Sequence, residues 1–330
     1  MNVASLLYKT LRRLQARTLG QLLRGGLVRV WPFSIFVHRH YRARLRPDRW
    51  NDLNKRSIEV LRDHEPTLNP TQQTALSDLK ADGIHVTTLD RLLNANGLLK
   101  ELQDEAESLF QRPEVRSQIQ QRISKDGIKW YVVRVFGFQP TLAVPPSLAS
   151  LILDDRVLAI ANSYLGVCSR VKYLDLWYNL PCDEADPSVD SERWHRDNED
   201  NQLIKLFLYL SDVDERSGPL SYIRGTQPGG RYGSLYPNNP PTGSFPPDGA
   251  LERDLPDAEM YSCVGNAGTL LLYDACGFHR GGRTSNKPRI MLVATYASEA
   301  ALDPLTYTLQ NREQIEDLSV PGKYAIRAMN

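Results

Sequence analysis

Trp194-His195-Arg196-Asp197 is answered 84 residues after its histidine by Gly277-Phe278-His279-Arg280-Gly281-Gly282. Two residues separated by one position on an extended segment project to the same side, so His195 and Asp197 face together while Arg196 faces away. A His-x-Asp pair joined by one distant histidine is the spacing of a two-histidine, one-carboxylate facial triad, which grips one face of an octahedral Fe(II) and leaves positions open. The third ligand then comes from a different strand. Ten residues beyond His279, Arg289 heads the apolar run Ile290-Met291-Leu292-Val293-Ala294. A guanidinium facing the same cavity offers a planar, permanently charged fork to a carboxylate. The layout suggests iron together with a dicarboxylate. On the pair alone, His195 reads equally well as a hydrogen-bonded loop residue and His279 as a surface residue beside a glycine turn.

The flanking segments weigh against that bland reading. His195 and Asp197 precede the strand-like Leu203–Leu210, and His279 follows Thr269–Tyr273. Both sets of ligands therefore sit at strand ends, where a β-barrel mouth gathers side chains. Within Val171–Leu180, Leu174, Leu176 and Tyr178 face one way; Tyr173, Asp175, Trp177 and Asn179 face the other, a polarity suited to lining a wet cavity. From Val171 onward strands and turns dominate. The expected fold is mainly β, a double-stranded β-helix or cupin-like jelly roll with flanking helices.

Ahead of that core, residues 68–111 predict helix, short strand, helix, with Asp82-Gly83 at a turn and Ile84-His85-Val86 extended. Ile128–Phe138 predicts a strand and Pro145–Tyr164 a helix. Twelve prolines and glycines crowd the stretch between Gly225 and Gly249. A loop of that length in a compact domain is either a lid or a connection, and its aromatics Tyr232, Tyr236 and Phe245 favour a lid, drawn here as 225–260.

Composition sets the remaining bounds. The chain has 330 residues, 41% of them hydrophobic, and a formal net charge of +1. That charge is unevenly spread: residues 1–50 carry eleven Lys or Arg against Asp48 alone, leaving −9 for the rest. Four cysteines lie far apart without a Cys-x-x-Cys, which points to a reducing compartment and against a disulfide framework or zinc ribbon. No segment approaches 18 uninterrupted apolar residues, and arginines break up the N-terminal apolar stretch, so a transmembrane helix and a signal peptide are not expected. The expected location is cytoplasmic.

Val3, Leu7, Leu11 and Leu14 recur at helical spacing among Lys9, Arg12, Arg13 and Arg17. Residues 1–65 are thus set apart as a basic helical extension, ahead of a catalytic domain at 66–330. Peripheral membrane contact through residues 1–50 is one reading of this arm; a helix packed on the domain with solvated arginines is the other. No recognisable nucleic-acid-binding motif accompanies the charge, so no nucleic-acid partner is expected.

These pieces together resemble the phytanoyl-CoA dioxygenase family, within the Fe(II)- and 2-oxoglutarate-dependent oxygenases. The resemblance runs from about Thr74 to Ala297. It rests on Asp82-Gly83-Ile84-His85-Val86, Trp194-His195-Arg196-Asp197, Ser217-Gly218-Pro219-Leu220 with Gly225-Thr226, Gly268–Asp274, and His279-Arg280-Gly281-Gly282 with Arg289. It implies that His195, Asp197 and His279 ligate Fe(II), that Arg289 pairs with the C5 carboxylate of 2-oxoglutarate, and that Asn179 touches its C1 carboxylate end. It also implies consumption of O2 and release of succinate and CO2, with an aliphatic C–H of a small-molecule or lipid-like metabolite hydroxylated. A carboxylate at Asp197, where halogenating relatives have a small residue, favours hydroxylation or desaturation. Arg280, Arg283 and Trp177 are candidate substrate contacts. The chain departs from the family pattern at Gly225-Thr226-Gln227, where Gly-Ser-His is frequent, and residues 1–60 have no counterpart, so the substrate stays open. Two other classes compete with this expectation. One is a catalytically inactive jelly-roll metal-binding or scaffold protein; the other is a cupin-type hydrolase or isomerase, which would have little use for Arg289.

Overall fold

Helix α1 (Pro47–Asp63) is followed by helix α2 (Pro70–Asp82) in the computed structural model, which describes residues 42–123, 129–137, 141–142, 144–183, 186, 190–237, 245–255, 259–301, 308–309 and 315–326. The amphipathic segment expected at residues 3–23 lies outside the described residues. Helix α2 starts on a capping box: the Asn69 side chain accepts from Gln72 N, and the Gln72 side chain accepts from Asn69 N. It stops at Gly83, whose φ of 79° is a left-handed value that suits glycine. The chain then runs into β1 (Ile84–Thr88), α3 (Leu89–Leu93), α4 (Leu98–Phe110) and α5 (Pro113–Ile123), the helix, strand, helix order read from the sequence.

Two expectations need correction in detail. Of the strand expected over 128–138, only β2 (Val132–Arg134) pairs among the described residues. After the two-residue β3 (Thr141–Leu142), the helix expected over 145–164 is two helices, α6 (Pro146–Ile152) and α7 (Asp155–Leu165). They break at Asp154, whose side chain accepts from Arg156 N at 2.8 Å and so caps α7.

The remaining strands are β4 (Arg170–Asn179), β5 (Ile204–Tyr209), β6 (Ser221–Ile223), β7 (Met260–Ser262), β8 (Thr269–Asp274), β9 (His279–Arg280), β10 (Arg289–Ala297) and β11 (Thr308–Leu309), with α8 (Ala250–Asp254) before β7 and α9 (Val320–Ala325) after β11. Four of these, with β1 and β2, form a six-stranded antiparallel sheet in the order β1-β8-β5-β10-β4-β2. A second sheet has the order β7-β6-β9, and β3 pairs with β11 in parallel. Antiparallel sheets flanked by helices on one side give the jelly-roll core that the strand pattern predicts.

Side-chain alternation divides the six-stranded sheet. Leu174, Leu176, Leu206, Leu208, Leu270 and Leu292 point to the helices and join one apolar cluster with residues of α2, α3, α4, α6 and α7. Phe207, Tyr209, Leu271, Tyr273, Met291 and Val293 point the other way, toward Leu220 and Tyr222 of the smaller sheet's segment. One irregularity interrupts the alternation: the β10–β4 register shifts between Thr295 and Tyr296, so Thr295 opposes Tyr173 and Tyr296 opposes Val171. Lys172 is the extra residue of this bulge.

Helix α1 belongs to the stretch 1–65 that the sequence sets apart, yet it is tied to the core. Trp50 Nε1 donates to Asp200 Oδ1 (3.1 Å), Cys168 N to Ser57 O (3.0 Å) and Glu299 N to Asn54 Oδ1 (2.8 Å). Just ahead of it, Arg44 donates to the carbonyls of Glu299, Ala300 and Ala301.

Candidate active site

The backbone fixes the two histidines before any side chain is considered. His195 N donates to His279 O and His279 N to His195 O, both at 3.0 Å, and Asp197 N donates to Ala275 O at 2.8 Å. This ladder joins residues 84 positions apart and turns His195, Asp197 and His279 inward together. Each imidazole is then oriented by its own neighbourhood. His195 Nδ1 lies 2.9 Å from Arg193 O and His279 Nδ1 lies 3.0 Å from Gly277 O. A carbonyl only accepts, so Nδ1 carries the hydrogen in both rings and the Nε2 lone pairs face inward. His195 Nε2 stands 3.6 Å from Asp197 Oδ1, and His279 Nε2 3.9 Å from Asp197 Oδ2.

Among the described residues these three form the one cluster with metal-ligand character, their donor atoms all within 4.8 Å of one another. The protonation states suit a cation. Burial, then His195, lowers the His279 pKa to about 3, and burial likewise lowers that of His195, so both rings are neutral near pH 7. Burial alone would raise the Asp197 carboxyl, but the Lys205 ammonium, then His279 and His195, hold it well below the ordinary carboxylate range. Lys205 of β5 is in direct contact with Asp197 Oδ2. Two neutral imidazole nitrogens and an ionised carboxylate on one face fit Fe(II).

Arg196, between the ligands, points the opposite way. Its guanidinium donates to the carbonyls of Thr226, Cys276 (2.6 Å), Leu235 (2.9 Å) and Tyr236 (3.1 Å), and lies 4.0 Å above the Phe278 ring. The first part of the segment expected to be a lid is therefore pinned to the ligand strand, with Thr226 and Gln227 fully buried. Its later part supplies Phe245, stacked on the His195 ring with centroids 5.8 Å apart. The intervening 238–244 lie outside the described residues.

The triad opens into a cavity of about 390 Å³ between the two sheets, which Arg289, Trp177, Phe207 and Tyr273 also line. Arg289 is 6% exposed at the start of β10, opposite Asn179 of β4. With the Asn179 amide oxygen turned toward it, Asn179 accepts from Arg289 Nη2 (2.5 Å) and Nε (3.1 Å). Asn179 thus touches the arginine, a partner that the sequence reading did not give it. Burial lowers the arginine's pKa, yet a guanidinium stays charged at any pH the fold survives.

Trp177 reaches the cavity wall, its Nε1 donating to Tyr173 Oη at 2.8 Å. Arg280 and Arg283 are not brought to the wall. With His279 facing inward, Arg280 faces out by strand alternation, exposed and 4.5 Å over the Trp194 ring. Arg283 pairs with Glu192 at 2.8 Å and donates to Asp186 O at 2.6 Å. Cavity residues missed from the sequence are Lys129, Arg134, Lys172 and Lys205. Period-two alternation could have found Lys205, which shares a face with Phe207 and Tyr209; no sequence signal marks the others.

The family model for phytanoyl-CoA dioxygenase (PhyH) matches residues 82–291. The chain belongs to this family. As a PhyH member it is a non-haem Fe(II)- and 2-oxoglutarate-dependent dioxygenase that uses O2. Among solved structures, the apoform of EctD from S. alaskensis is 16% identical at a TM-score of 0.50, with 79% of this chain and 89% of that chain covered. The epimerase SnoN, solved in complex with Fe3+, alpha ketoglutarate and nogalamycin RO, is 17% identical at a TM-score of 0.48, with 69% and 83% covered. HygX from Streptomyces hygroscopicus, with nickel and 2-oxoglutarate bound, is 18% identical at 0.43, with 71% and 88% covered. At such identities the likeness to EctD is one of fold. No curated protein matches the chain.

Proposed function

We propose that this PhyH enzyme hydroxylates an aliphatic C–H of a small-molecule or lipid-like metabolite, with release of succinate and CO2. The observation that carries this reading is the convergence of His195 Nε2, Asp197 carboxylate and His279 Nε2 within 4.8 Å, in a cavity that Arg289 also lines. In this reading His195, Asp197 and His279 hold Fe(II), and Arg289 forms a charge-assisted fork to the distal carboxylate of 2-oxoglutarate. When bound, iron and 2-oxoglutarate supply the oxidation of the substrate C–H by O2.

The chain's own groups prepare that chemistry. Arg193 O and Gly277 O hold the imidazoles in the tautomer that ligates. Asn179 fixes the fork of Arg289, whose position at the head of β10 sets the direction in which the co-substrate lies. The apolar walls built from Phe207, Leu220 and Met291 keep water scarce and strengthen each polar contact. Asp197 fills the ligand position that a halide would need, which favours hydroxylation. Trp177, at the wall, is placed to touch substrate.

We set the oxygenase domain's start at α1, because Trp50, Asn54 and Ser57 bond to it. The basic arm then ends before Arg44, and peripheral membrane contact belongs to that arm.

The test is anaerobic Fe(II) loading followed by succinate release with 2-oxoglutarate and O2. The parent should bind one iron per chain, and His195→Ala, Asp197→Ala and His279→Ala should lose iron and turnover while keeping their circular dichroism. Full oxygen-dependent succinate release by the Asp197→Ala and His279→Ala proteins would remove the triad assignment.

A further inference from the structure

Lys205 is an unexpected residue for its place in the large sheet. Phe207 and Tyr209 follow it on the inner face of β5, and Tyr273 of β8 and Thr295 of β10 stand opposite it. A methionine or leucine would pack among these side chains, and exchanging a buried ion pair for apolar groups is commonly neutral or stabilising. Stability therefore gives no account of a lysine here. Among the described residues the one acid that its ammonium bonds is Asp197, through Oδ2. The two side chains are only 22% and 14% exposed, so little salt or water screens the contact.

Which oxygen the lysine takes has a chemical consequence. Asp197 brings Oδ1 to 3.6 Å from His195 Nε2 and Oδ2 to 3.9 Å from His279 Nε2, so both oxygens border the donor nitrogens. A carboxylate so placed can grip an ion with one oxygen or with two. Gripping with two would close the site. Of the six positions on an octahedral ion, the imidazoles take two, a chelating 2-oxoglutarate two and a two-oxygen carboxylate the rest, which leaves none for O2. An ammonium on Oδ2 removes that option. Arg289 cannot do this work, since it precedes Thr295 by six residues of β10, roughly 20 Å of strand.

We infer that Lys205 is a positioning residue of the iron site: its ammonium holds Asp197 Oδ2, confines ligation to Oδ1 and so keeps a position open beside the co-substrate. This rests on the iron and 2-oxoglutarate reading and assigns one more residue to it. Removing the ammonium has two opposed effects. Fe(II) binds more tightly, because a neighbouring cation is gone and both carboxylate oxygens become available. 2-Oxoglutarate binds less tightly, because the second oxygen competes for its place and a favourable charge is lost. A lysine that only supported the fold would do the opposite to iron, weakening it together with the melting temperature.

The test is anaerobic calorimetry on the full chain, first with Fe(II) and then with 2-oxoglutarate, read alongside the visible charge-transfer band of an α-keto acid chelated to Fe(II). In Lys205→Met the Fe(II) affinity should rise about fivefold or more, the 2-oxoglutarate affinity should fall about tenfold, and the band should weaken at equal 2-oxoglutarate. A Lys205→Met protein with the parent's two affinities and band, or one whose iron affinity falls, overturns the inference. Should that variant fail to fold, the parent decides alone. A crystal structure of its oxygen-free, Fe(II)-loaded form should show Asp197 on the metal through Oδ1 with Lys205 on Oδ2, and both oxygens on the metal would overturn the inference. Absence of iron binding by the parent would instead sink the triad reading itself.

Discussion

Arg289 gives the sharpest residue-level expectation. Its fork is preset by Asn179 and buried, so removal takes away a desolvated charged partner that solvent cannot replace. Arg289→Ala should raise the KM for 2-oxoglutarate by a factor equivalent to about 2–5 kcal/mol. Arg289→Lys should recover only part of this, because an ammonium is a point charge and cannot span both carboxylate oxygens. Equal KM values for 2-oxoglutarate in Arg289→Ala and parent would take Arg289 out of the site. Asp274, fully buried, carries a second expectation. Burial raises its pKa to about 6 from the ordinary 3.8, so the folded protein favours the neutral carboxyl. Between about pH 4 and 6 the folded state holds a proton that the unfolded state has released, and stability falls as pH rises. Asp274→Asn keeps an acceptor for Cys276 N (2.9 Å) and a polar partner for Tyr164 Oη (2.8 Å) while removing the titration. Across that window the parent's melting temperature should fall relative to the variant's, by up to about 3 kcal/mol of stability; parallel profiles would refute the assignment. At this scale spacing placed His195 and Asp197 on one face, while His279 and Arg289 were singled out by the resemblance to the family; all four line one cavity. The sequence was silent on Lys172, because a bulge breaks the two-residue period, and it misplaced Arg280 and Arg283, because charge beside a ligand says nothing about which way a side chain turns.

Elements meet most closely where two glycine motifs cross. A Cβ on Gly282 would sit 2.8 Å from Gly218 Cα, and one on Gly218, with φ at 67°, would sit 2.3 Å from the Arg283 carbonyl carbon. The segment before β6 and the segment after β9 therefore touch backbone to backbone, directly behind the third ligand. Gly282→Ala should lower stability by about 2 kcal/mol or more and loosen iron binding, since relief requires moving the strand that carries His279. A Gly282→Ala protein with the parent's melting temperature and iron affinity would show that the crossing tolerates a side chain. The two faces of β4 were legible as elements, since Leu174 and Leu176 alternate with Tyr173 and Trp177 without interruption. The break between α6 and α7 was not, because Asp154 competes for a backbone N–H that the helical period of Leu151, Ile152, Val157 and Leu158 does not report. Likewise, β2 pairs over three residues only, although the β-branched run around it is far longer.

At the scale of the whole molecule, charge is segregated by sequence. The residues before Arg44 carry eight Lys or Arg and no acid, +8, and Arg44 onward carries −7 (1 − 8). Anionic lipid attracts such an arm by about 1 kcal/mol per basic residue near the surface. None of the described helices is long and apolar enough to cross a membrane. Full-length protein should co-sediment with phosphatidylserine vesicles and lose that association as salt rises; a chain beginning at Arg42 should stay in the supernatant. Supernatant location of both would leave the arm no lipid role. The ladders carry a different consequence, one of timing. Strand β1 pairs with β8 through Ile84 and Tyr273, and β4 pairs with β10 through Arg170 and Ala297. The pairings that shape the cavity thus close loops of 43 residues (Arg134 with Trp177) up to 189 (Ile84 with Tyr273), and such non-local pairings form slowly. A chain leaving the ribosome displays His195 and Asp197 long before His279, Arg289 or the strand that completes the sheet exists. Metal capture during synthesis is therefore deferred until His279 has emerged, and a product truncated at residue 290 would hold all three ligands yet lack all but the first two residues of β10, leaving β4 and β5 with open, aggregation-prone edges.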